Sequence, residues 1–207
     1  MNKKLVGIAI LLSAFLASTL WLQQGCTGGP APLSAMIATA TPVLSPTPVN
    51  INDGFENNTT QGWFAAGGNV SGTVFSIISP GYGGSNYCIN LYAPVTAINQ
   101  TAGVTQAFSS LNLTGGGIQC EMWIDAGTVS GGYPGGQIFP SDGITTNYNF
   151  YSNLTQGSWT LLNLPLPSAT YGTVNTGAIK SILIQAAMGG LGTVVPGNVK
   201  IDNIQIY

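Results

Sequence analysis

The feature that most constrains the fold is a succession of short apolar runs, broken by Gly, Pro and Asn, from Ile51 to the end of the chain. No window of a dozen residues there repeats its apolar side chains at the 3.6-residue period of a helix. Such runs, separated by turn-forming residues, indicate short β-strands. The candidate strands are 73–78, 87–92, 101–108, 117–125, 136–140, 158–164, 179–186 and 198–207. Eight strands predict an all-β sandwich of the jelly-roll type.

Alternation within the runs predicts which side chains face the core. Successive residues of a strand point to opposite faces of its sheet. In 118–125 the apolar set predicted to lie inside is Ile118, Cys120, Met122 and Ile124, and the outward set is Gln119, Glu121, Trp123 and Asp125. Gln137 and Phe139 share one face. The last run changes phase at Asp202 and Asn203, which predicts a β-bulge there.

One interpretation of the two cysteines of the folded domain is a disulfide between Cys88 and Cys120, since an oxidising compartment permits such bonds. Alternation places the two thiols on opposite faces, with Cys120 inward and Cys88 outward. That placement argues against the bond, because a disulfide needs Cβ atoms within about 4.5 Å of each other.

The N-terminus has the pattern of an export signal. Lys3 and Lys4 precede an uncharged, largely apolar run at 5–22, as in the n-region and h-region of a signal peptide. The segment ending in Gly25 and Cys26 resembles a bacterial lipobox, although Gln23 stands where that pattern has an aliphatic residue. We therefore expect an export segment at 1–25 with lipidation at Cys26; plain secretion or an uncleaved membrane anchor is the alternative. The mature protein is extracytoplasmic in each case.

Between the signal and the strands lies a spacer, at 26–49, which is rich in Pro, Thr, Ser and Ala. This composition favours extended, solvated backbone that cannot bury a core. We expect the folded domain to occupy 50–207.

The charged residues exclude several classes of function. The chain has four Lys, no Arg and no His, and after the signal only Lys180 and Lys200 remain. A nucleic-acid partner would need clustered positive charge to neutralise phosphates. The absence of His removes Ser-His-Asp chemistry and His-based metal sites.

Three groups of motifs together resemble the carbohydrate-binding modules of the galactose-binding-like jelly-roll superfamily, which are appended to plant-polysaccharide hydrolases. The first is Asp-Gly-Phe-Glu-Asn at 53–57 followed by Gly62 and Trp63. The second is Gly-Gln-Ile-Phe at 136–139, then Asp-Gly at 142–143, then Gly-Ser-Trp-Thr at 157–160. The third is Val-Lys-Ile-Asp-Asn-Ile at 199–204. The resemblance spans most of 51–207 and implies binding of a neutral polysaccharide.

The resemblance also implies a structural calcium ion that joins the first strand to the last. The acids at the corresponding positions are Glu56 and Asp202, with Asp53 as a weaker candidate. Calcium prefers hard oxygen ligands such as carboxylates and carbonyls. The alternative is that both acids are solvated turn carboxylates.

A sugar-binding face needs aromatic rings for the C–H face of the sugar and amides or carboxylates for its hydroxyls. The residues expected to form this face are Trp123, Glu121, Asp125, Gln137, Phe139, Tyr148, Tyr151 and Gln185. The resemblance places Trp63 and Trp159 in buried packing. Tyr133 is a lower-ranked candidate at a loop tip.

Catalysis is the less favoured interpretation. A glycoside hydrolase needs two carboxyl groups about 5 to 9.5 Å apart. Glu121 and Asp125 lie four residues apart on one strand, or about 13 Å, whereas Asp142 could approach Glu121 from the next strand. We therefore expect a non-catalytic, monomeric, surface-tethered binder of polysaccharide. A calcium-stapled structural or adhesion module is the alternative, and a glycoside hydrolase ranks third.

Overall fold

The computed structural model describes residues 51–166 and 171–207. The predicted signal, Cys26 and the spacer lie outside these residues, so the domain bounds, the lipid anchor and export stay predictions. All the described residues belong to the unit Leu44–Tyr207. No helix within the described ranges is long and apolar enough to cross a membrane.

The described residues form two antiparallel sheets, which confirms the predicted all-β sandwich. Sheet 1 has the strand order β3-β4-β12-β6-β9, with β1 also paired to β12. Its strands are β1 (Ile51–Asp53), β3 (Val74–Ile78), β4 (Cys88–Ala93), β6 (Gly117–Ile124), β9 (Trp159–Pro165) and β12 (Gly197–Ile206).

Sheet 2 has the strand order β10-β8-β7-β11-β5-β2. Its strands are β2 (Phe64–Gly68), β5 (Thr101–Leu111), β7 (Val129–Ser141), β8 (Asn147–Tyr151), β10 (Tyr171–Gly172) and β11 (Ile179–Val194). Of the twelve strands in the described residues, the sequence predicted eight and missed β1, β2, β8 and β10, which have five residues or fewer. Such short strands give too few repeats for alternation to stand out.

The core lies between the two sheets, where the inward-facing sets of their strands meet. Ile118, Cys120, Met122 and Ile124 are all buried, as alternation predicts. Ile138 from β7 and Ile184 from β11 supply the facing layer and are fully buried. At about 25 cal/mol per Å² of apolar surface, burial of this layer is the main stabilising contribution to the sandwich.

The predicted bulge in β12 is confirmed. Its register against β6 shifts between Asp202 and Gln205, and Asn203 has φ of +49°. The extra residue restores Ile204 and Ile206 to the core side, where both are fully buried. Beyond the bulge β12 pairs with β1, so the first and last described strands are neighbours.

Cys88 and Cys120 are both free thiols. Cys120 points into the core as predicted. Cys88 is on the outer side of sheet 1, yet it is buried, because its Sγ lies 3.7 Å from the carbonyl oxygen of Pro80 in a covering loop. Burial raises the pKa of the Cys88 thiol to about 11 and that of Cys120 still further, so neither is a reactive thiolate at neutral pH.

Candidate functional site

The outer face of sheet 2 carries a set of rings and amides. Ile138 and Ile184 are fully buried, so the alternate positions of β7 and β11 point away from the core. Gln137 pairs directly with Gln185 across these two strands, and Phe139 pairs with Leu183. Four outward side chains therefore stand next to each other on two central strands.

Two pairs of aromatic rings lie on this face. Phe139 stacks on Tyr148 of β8, with ring centroids 4.7 Å apart and an angle of 25° between the planes. Tyr133 and Phe150 meet edge to face, with centroids 6.0 Å apart. The Phe150 ring covers Gly135, where a Cβ atom would come within 2.7 Å of it. Glycine at position 135 is thus required for the Phe150 ring to pack against the backbone of β7.

An amide pair separates the two aromatic pairs. Gln185 Nε2 donates a hydrogen bond to Gln137 Oε1 at 2.6 Å. Gln137 is in turn the cross-strand partner of Phe150. Gln185 is only 8% exposed, so its part is to fix the orientation of Gln137. Gln137 is partly exposed, and its own amide nitrogen remains as a donor for hydroxyl groups.

Phe64 lies on the same face of sheet 2, on the edge strand β2 at the other end of the sheet from β8. It is 48% exposed on β2 and pairs with Thr105 of β5, which pairs with Leu183. A row of side chains therefore runs across sheet 2 from Phe64 to Tyr148. We call this surface the platform, and its residues are Phe64, Tyr133, Gln137, Phe139, Tyr148, Phe150 and Gln185.

The structure brings together four of the eight predicted sugar-binding residues: Gln137, Phe139, Tyr148 and Gln185. Tyr151 is not among them. It pairs with Gly136, packs against the core, and donates its hydroxyl hydrogen to the carbonyl oxygen of Asn163. The candidate strands did not include 147–151, whereas this segment is β8, in which residues three apart point to opposite faces.

Glu121, Trp123 and Asp125 lie on the outer side of sheet 1, so the single surface predicted from the sequence is divided between two sheets. The prediction treated β6 and β7 as neighbours, but the chain crosses from sheet 1 to sheet 2 between them. Trp123 does point outward, as expected. Glu121 is only 6% exposed and cannot present its carboxylate to a ligand.

Sequence reasoning missed Phe64 and Phe150 and underrated Tyr133. Alternation in Asn147–Tyr151 would have paired Tyr148 with Phe150 on one face, had this segment been identified as a strand. Trp63 is 2% exposed, in the buried packing that the resemblance implied. Trp159 is not in the core: it is the cross-strand partner of Trp123 and partly exposed.

The two predicted calcium ligands border one cleft of about 490 Å³ on the outer side of sheet 1, beside the bulge in β12. Asp202 is fully buried, and its Oδ2 accepts a hydrogen bond from the backbone N–H of Tyr82 at 2.7 Å. Glu56 is exposed and accepts from the backbone and side-chain nitrogens of Asn86. Burial raises the pKa of Asp202, and the charge of Glu56 adds to this increase.

The chemistry of this cleft fits a calcium ion. Its lining contains two carboxylates, hydroxyl and backbone oxygens, and no cationic side chain among the described residues. No group of three or more Asp, Glu or Cys within 51–166 and 171–207 is arranged as a metal site. Glu56 and Asp202 would therefore hold the ion together with neutral oxygens, a donor set that calcium accepts. Calcium stays a prediction on this basis.

The carboxyl groups do not form an accessible catalytic pair among the acids whose side chains are described. Asp142 lies in the turn after β7 of sheet 2, so it does not approach Glu121 of sheet 1. Glu121 and Asp202 are direct cross-strand partners, yet both are buried. Burial raises the pKa of Glu121, and the neighbouring Asp202 charge also raises it. At 6% and 0% exposure the two carboxyl groups do not stand open to a sugar as a catalytic pair must.

No protein-family model matches the sequence, and no curated protein sequence matches it. Solved structures do match. A carbohydrate-binding module of the β-sandwich superfamily, studied for its promiscuous specificity, aligns with a TM-score of 0.55 at 16% identity, over 73% of this chain and 59% of that one. The family 11 carbohydrate-binding module from Clostridium thermocellum gives 0.54 at 13% identity, over 77% and 96%. A module specific for non-crystalline cellulose gives 0.55 at 14%, over 74% and 91%.

An exo-β-agarase also aligns, with a TM-score of 0.55 at 10% identity, but only over 25% of its length. The chain thus spans nearly the whole of two binding modules and a quarter of an enzyme. At these identities the likeness establishes the fold: a β-sandwich of the kind found in carbohydrate-binding modules.

Proposed function

We propose that the folded domain is a non-catalytic carbohydrate-binding module, and that the platform on sheet 2 binds a neutral polysaccharide. The observation that carries the proposal is the Phe139–Tyr148 stack beside the Gln137–Gln185 amide pair. The rings offer apolar surfaces to the C–H groups of a sugar, and Gln137, oriented by the buried Gln185, offers a hydrogen bond to its hydroxyls.

The charge of the platform supports a neutral ligand. None of its seven residues carries a charge, so nothing there compensates the sulfate or carboxylate groups of an acidic glycan. A charged group moved from water onto such a surface would lose hydration without gaining a partner.

The solved structures support the same class of ligand. The family 11 module is described in complex with a β-1,3-1,4-mixed-linked tetrasaccharide, and the other module as specific for non-crystalline cellulose. Mixed-linkage β-glucan and amorphous cellulose are therefore the first ligands to test, and xylan is added to the panel as another neutral polysaccharide.

Absence of catalysis is part of this proposal. Of the acids whose side chains are described, the only direct cross-strand pair is Glu121 and Asp202, which is buried. Export with lipidation at Cys26 completes the proposal, since a tethered module raises the local concentration of polysaccharide at the cell surface.

Affinity electrophoresis through gels that contain each polysaccharide tests the platform. We expect Phe139→Ala or Tyr148→Ala to weaken binding roughly tenfold, the effect of losing one well-stacked ring. Leu191→Ala is the control, because Leu191 is fully exposed and lies outside the platform. Retardation of both platform variants equal to that of the wild type would show that sugars bind elsewhere.

A calcium-stapled structural or adhesion module is the second candidate, favoured by the cleft that Glu56 and Asp202 share. This role predicts a calcium-stabilised protein that no gel in the panel retards. Retardation by any of the three polysaccharides would instead favour the binding module.

A further inference from the structure

The outer face of sheet 1 carries a second aromatic surface, which the platform does not use. Trp123 of β6 and Trp159 of β9 are cross-strand partners, with ring centroids 5.9 Å apart at an angle of 62°. The Tyr82 ring lies 5.8 Å from Trp159. We call this surface the tryptophan face, and its residues are Tyr82, Trp123, Asp125, Trp159, Asn198 and Lys200.

A chain of polar groups runs beside these rings. Trp123 Nε1 donates to Asp125 Oδ1 at 3.2 Å, which fixes the orientation of the indole. Asp125 Oδ2 accepts from Asn198 Nδ2 at 2.7 Å and from its backbone nitrogen at 3.0 Å. Although partial burial opposes the change, these hydrogen bonds lower the pKa of Asp125, so it is ionised at neutral pH.

The row of hydrogen-bonded polar groups extends from Asn198 to Asn90, where it ends. Asn90 Nδ2 donates to Asn198 Oδ1 at 3.3 Å, while Asn90 Oδ1 is buried and accepts no hydrogen bond from the described residues. A buried acceptor without a donor costs about 1–3 kcal/mol. Because that oxygen is closed off from solvent, the polar groups of this row that a ligand can meet are those of the half-buried Asp125 and Asn198.

The charges on this face favour a neutral ligand. The ammonium group of Lys200 lies 5.0 Å from the centre of the Trp123 ring and is the one cation on the tryptophan face. Asp125 on the same face carries the opposite charge and interacts with Lys200. The face therefore has no net positive charge to attract a phosphate, sulfate or uronate, whereas a neutral polyhydroxy ligand would meet rings, donors and acceptors together.

The two surfaces cannot serve one straight oligosaccharide. They lie on the outward sides of two different sheets, and stacked sheets are separated by about 10 Å of core. A ligand on the tryptophan face is therefore a second chain, or a distant segment of the same chain.

We infer that the tryptophan face is a second binding site for a neutral glycan and that the domain is bivalent. The inference depends on the proposed function only for the class of ligand. Two sites on opposite sides let one molecule bridge two polysaccharide chains, and they raise apparent affinity for polymers far above that for short oligosaccharides.

The test follows the indole N–H signals of the ¹⁵N-labelled full-length protein by NMR during titration with the β-1,3-1,4-mixed-linked tetrasaccharide, and then with a xylan oligosaccharide. The platform contains no Trp, and Trp63 is 2% exposed. Binding at the tryptophan face therefore shifts the signals of Trp123 and Trp159 and leaves that of Trp63 in place.

Variants separate this site from the platform. We expect calorimetry to give two sites per wild-type molecule, one site after Phe139→Ala with Tyr148→Ala, one after Trp123→Ala, and none in the triple variant. Leu191→Ala retains both. A melting curve for each variant confirms that it is folded, and the indole signals need no substitution.

The outcomes distinguish the second site from the platform. Indole shifts that persist in the platform double variant support the second site. Binding that vanishes in that double variant, with unshifted indoles in the wild type, overturns the second site and leaves the proposed function intact. Binding lost only through Trp123→Ala overturns the platform instead. No binding of either oligosaccharide overturns both.

Discussion

Asp142 shows how one side chain can hold a turn next to the platform. Its carboxylate accepts hydrogen bonds from the backbone N–H groups of Ile144 and Thr145, from the Thr145 hydroxyl and from the backbone N–H of Asn175. These bonds close the turn between β7 and β8 and join it to the segment that precedes β11. The turn thereby sets the register that brings Tyr148 beside Phe139.

The same hydrogen bonds predict an acid-dependent stability. Led by the backbone bonds from Thr145 and Asn175, they hold the pKa of Asp142 well below its ordinary value of 3.8. The stabilisation is fully present above the unfolded-state pKa and is lost as the pH falls below it. We expect Asp142→Asn to lower the urea midpoint at neutral pH, and the deficit to shrink below about pH 4.

Urea unfolding of both proteins from neutral pH to the acid range measures this effect. The difference between the two curves is the relevant quantity, because the raised pKa values of Glu121 and Asp202 change stability with the opposite sign. A deficit that stays constant with pH would show that the Asp142 charge contributes nothing.

At the scale of the element, β12 carries the most consequential irregularity. The bulge after Asp202 shifts the inward-facing positions of β12 by one residue. The side chains that reach the core are therefore Val199 and Ile201 before the bulge and Ile204 and Ile206 after it. It also directs the Asp202 carboxylate into the cleft bordered by Glu56. One extra residue therefore serves both the core and the predicted metal site.

The bulge predicts a specific order of stability among variants. Asn203 has φ of +49°, a conformation that Asn and Gly tolerate better than branched residues. We expect Asn203→Val to lower the free energy of unfolding by roughly 1–2 kcal/mol and Asn203→Gly by less. Denaturant unfolding measures both, and equal losses in the two variants would mean that the lost Asn203 side chain, which accepts a hydrogen bond from Gln205, matters more than the backbone.

At the scale of the whole molecule, the sandwich exposes two aromatic surfaces on opposite sides and brings the ends of the folded region together. The pairing of β1 with β12 places Glu56, shortly after the first strand, near Asp202 in the last one. A cation bound there would link residues far apart in sequence. Its effect would be on the stability of the whole domain.

Calcium is accordingly expected to raise the melting temperature. An ion that binds only the folded state adds about 2.7 kcal/mol at a concentration near one hundred times its dissociation constant. The increase is expected to vanish on chelation with EDTA, and to be lost in Glu56→Gln and Asp202→Asn. Asp142→Asn is the matched control, an acid-to-amide change far from the cleft. An unchanged melting curve for the wild type with and without calcium would contradict the calcium site.

Much of the sheet structure could be predicted from residues alone. Alternation in 118–125 correctly divided Met122 from Trp123, and the phase change at Asp202 correctly located the bulge. These patterns are local, since each depends only on whether neighbouring side chains suit water or the core. Phe150, the second outward ring of β8, escaped notice because five residues give a weak pattern.

The sequence by itself therefore determined the class of fold, which side chains of β6 and β12 face the core, and the chemistry available on the outward side of β6. The tertiary structure alone decided which strands share a sheet. It put β6 in sheet 1 and β7 in sheet 2, and so separated Trp123 from Phe139. Sheet membership depends on hydrogen bonds between residues distant in the chain, and alternation within a strand carries no information about the partner across which those bonds form.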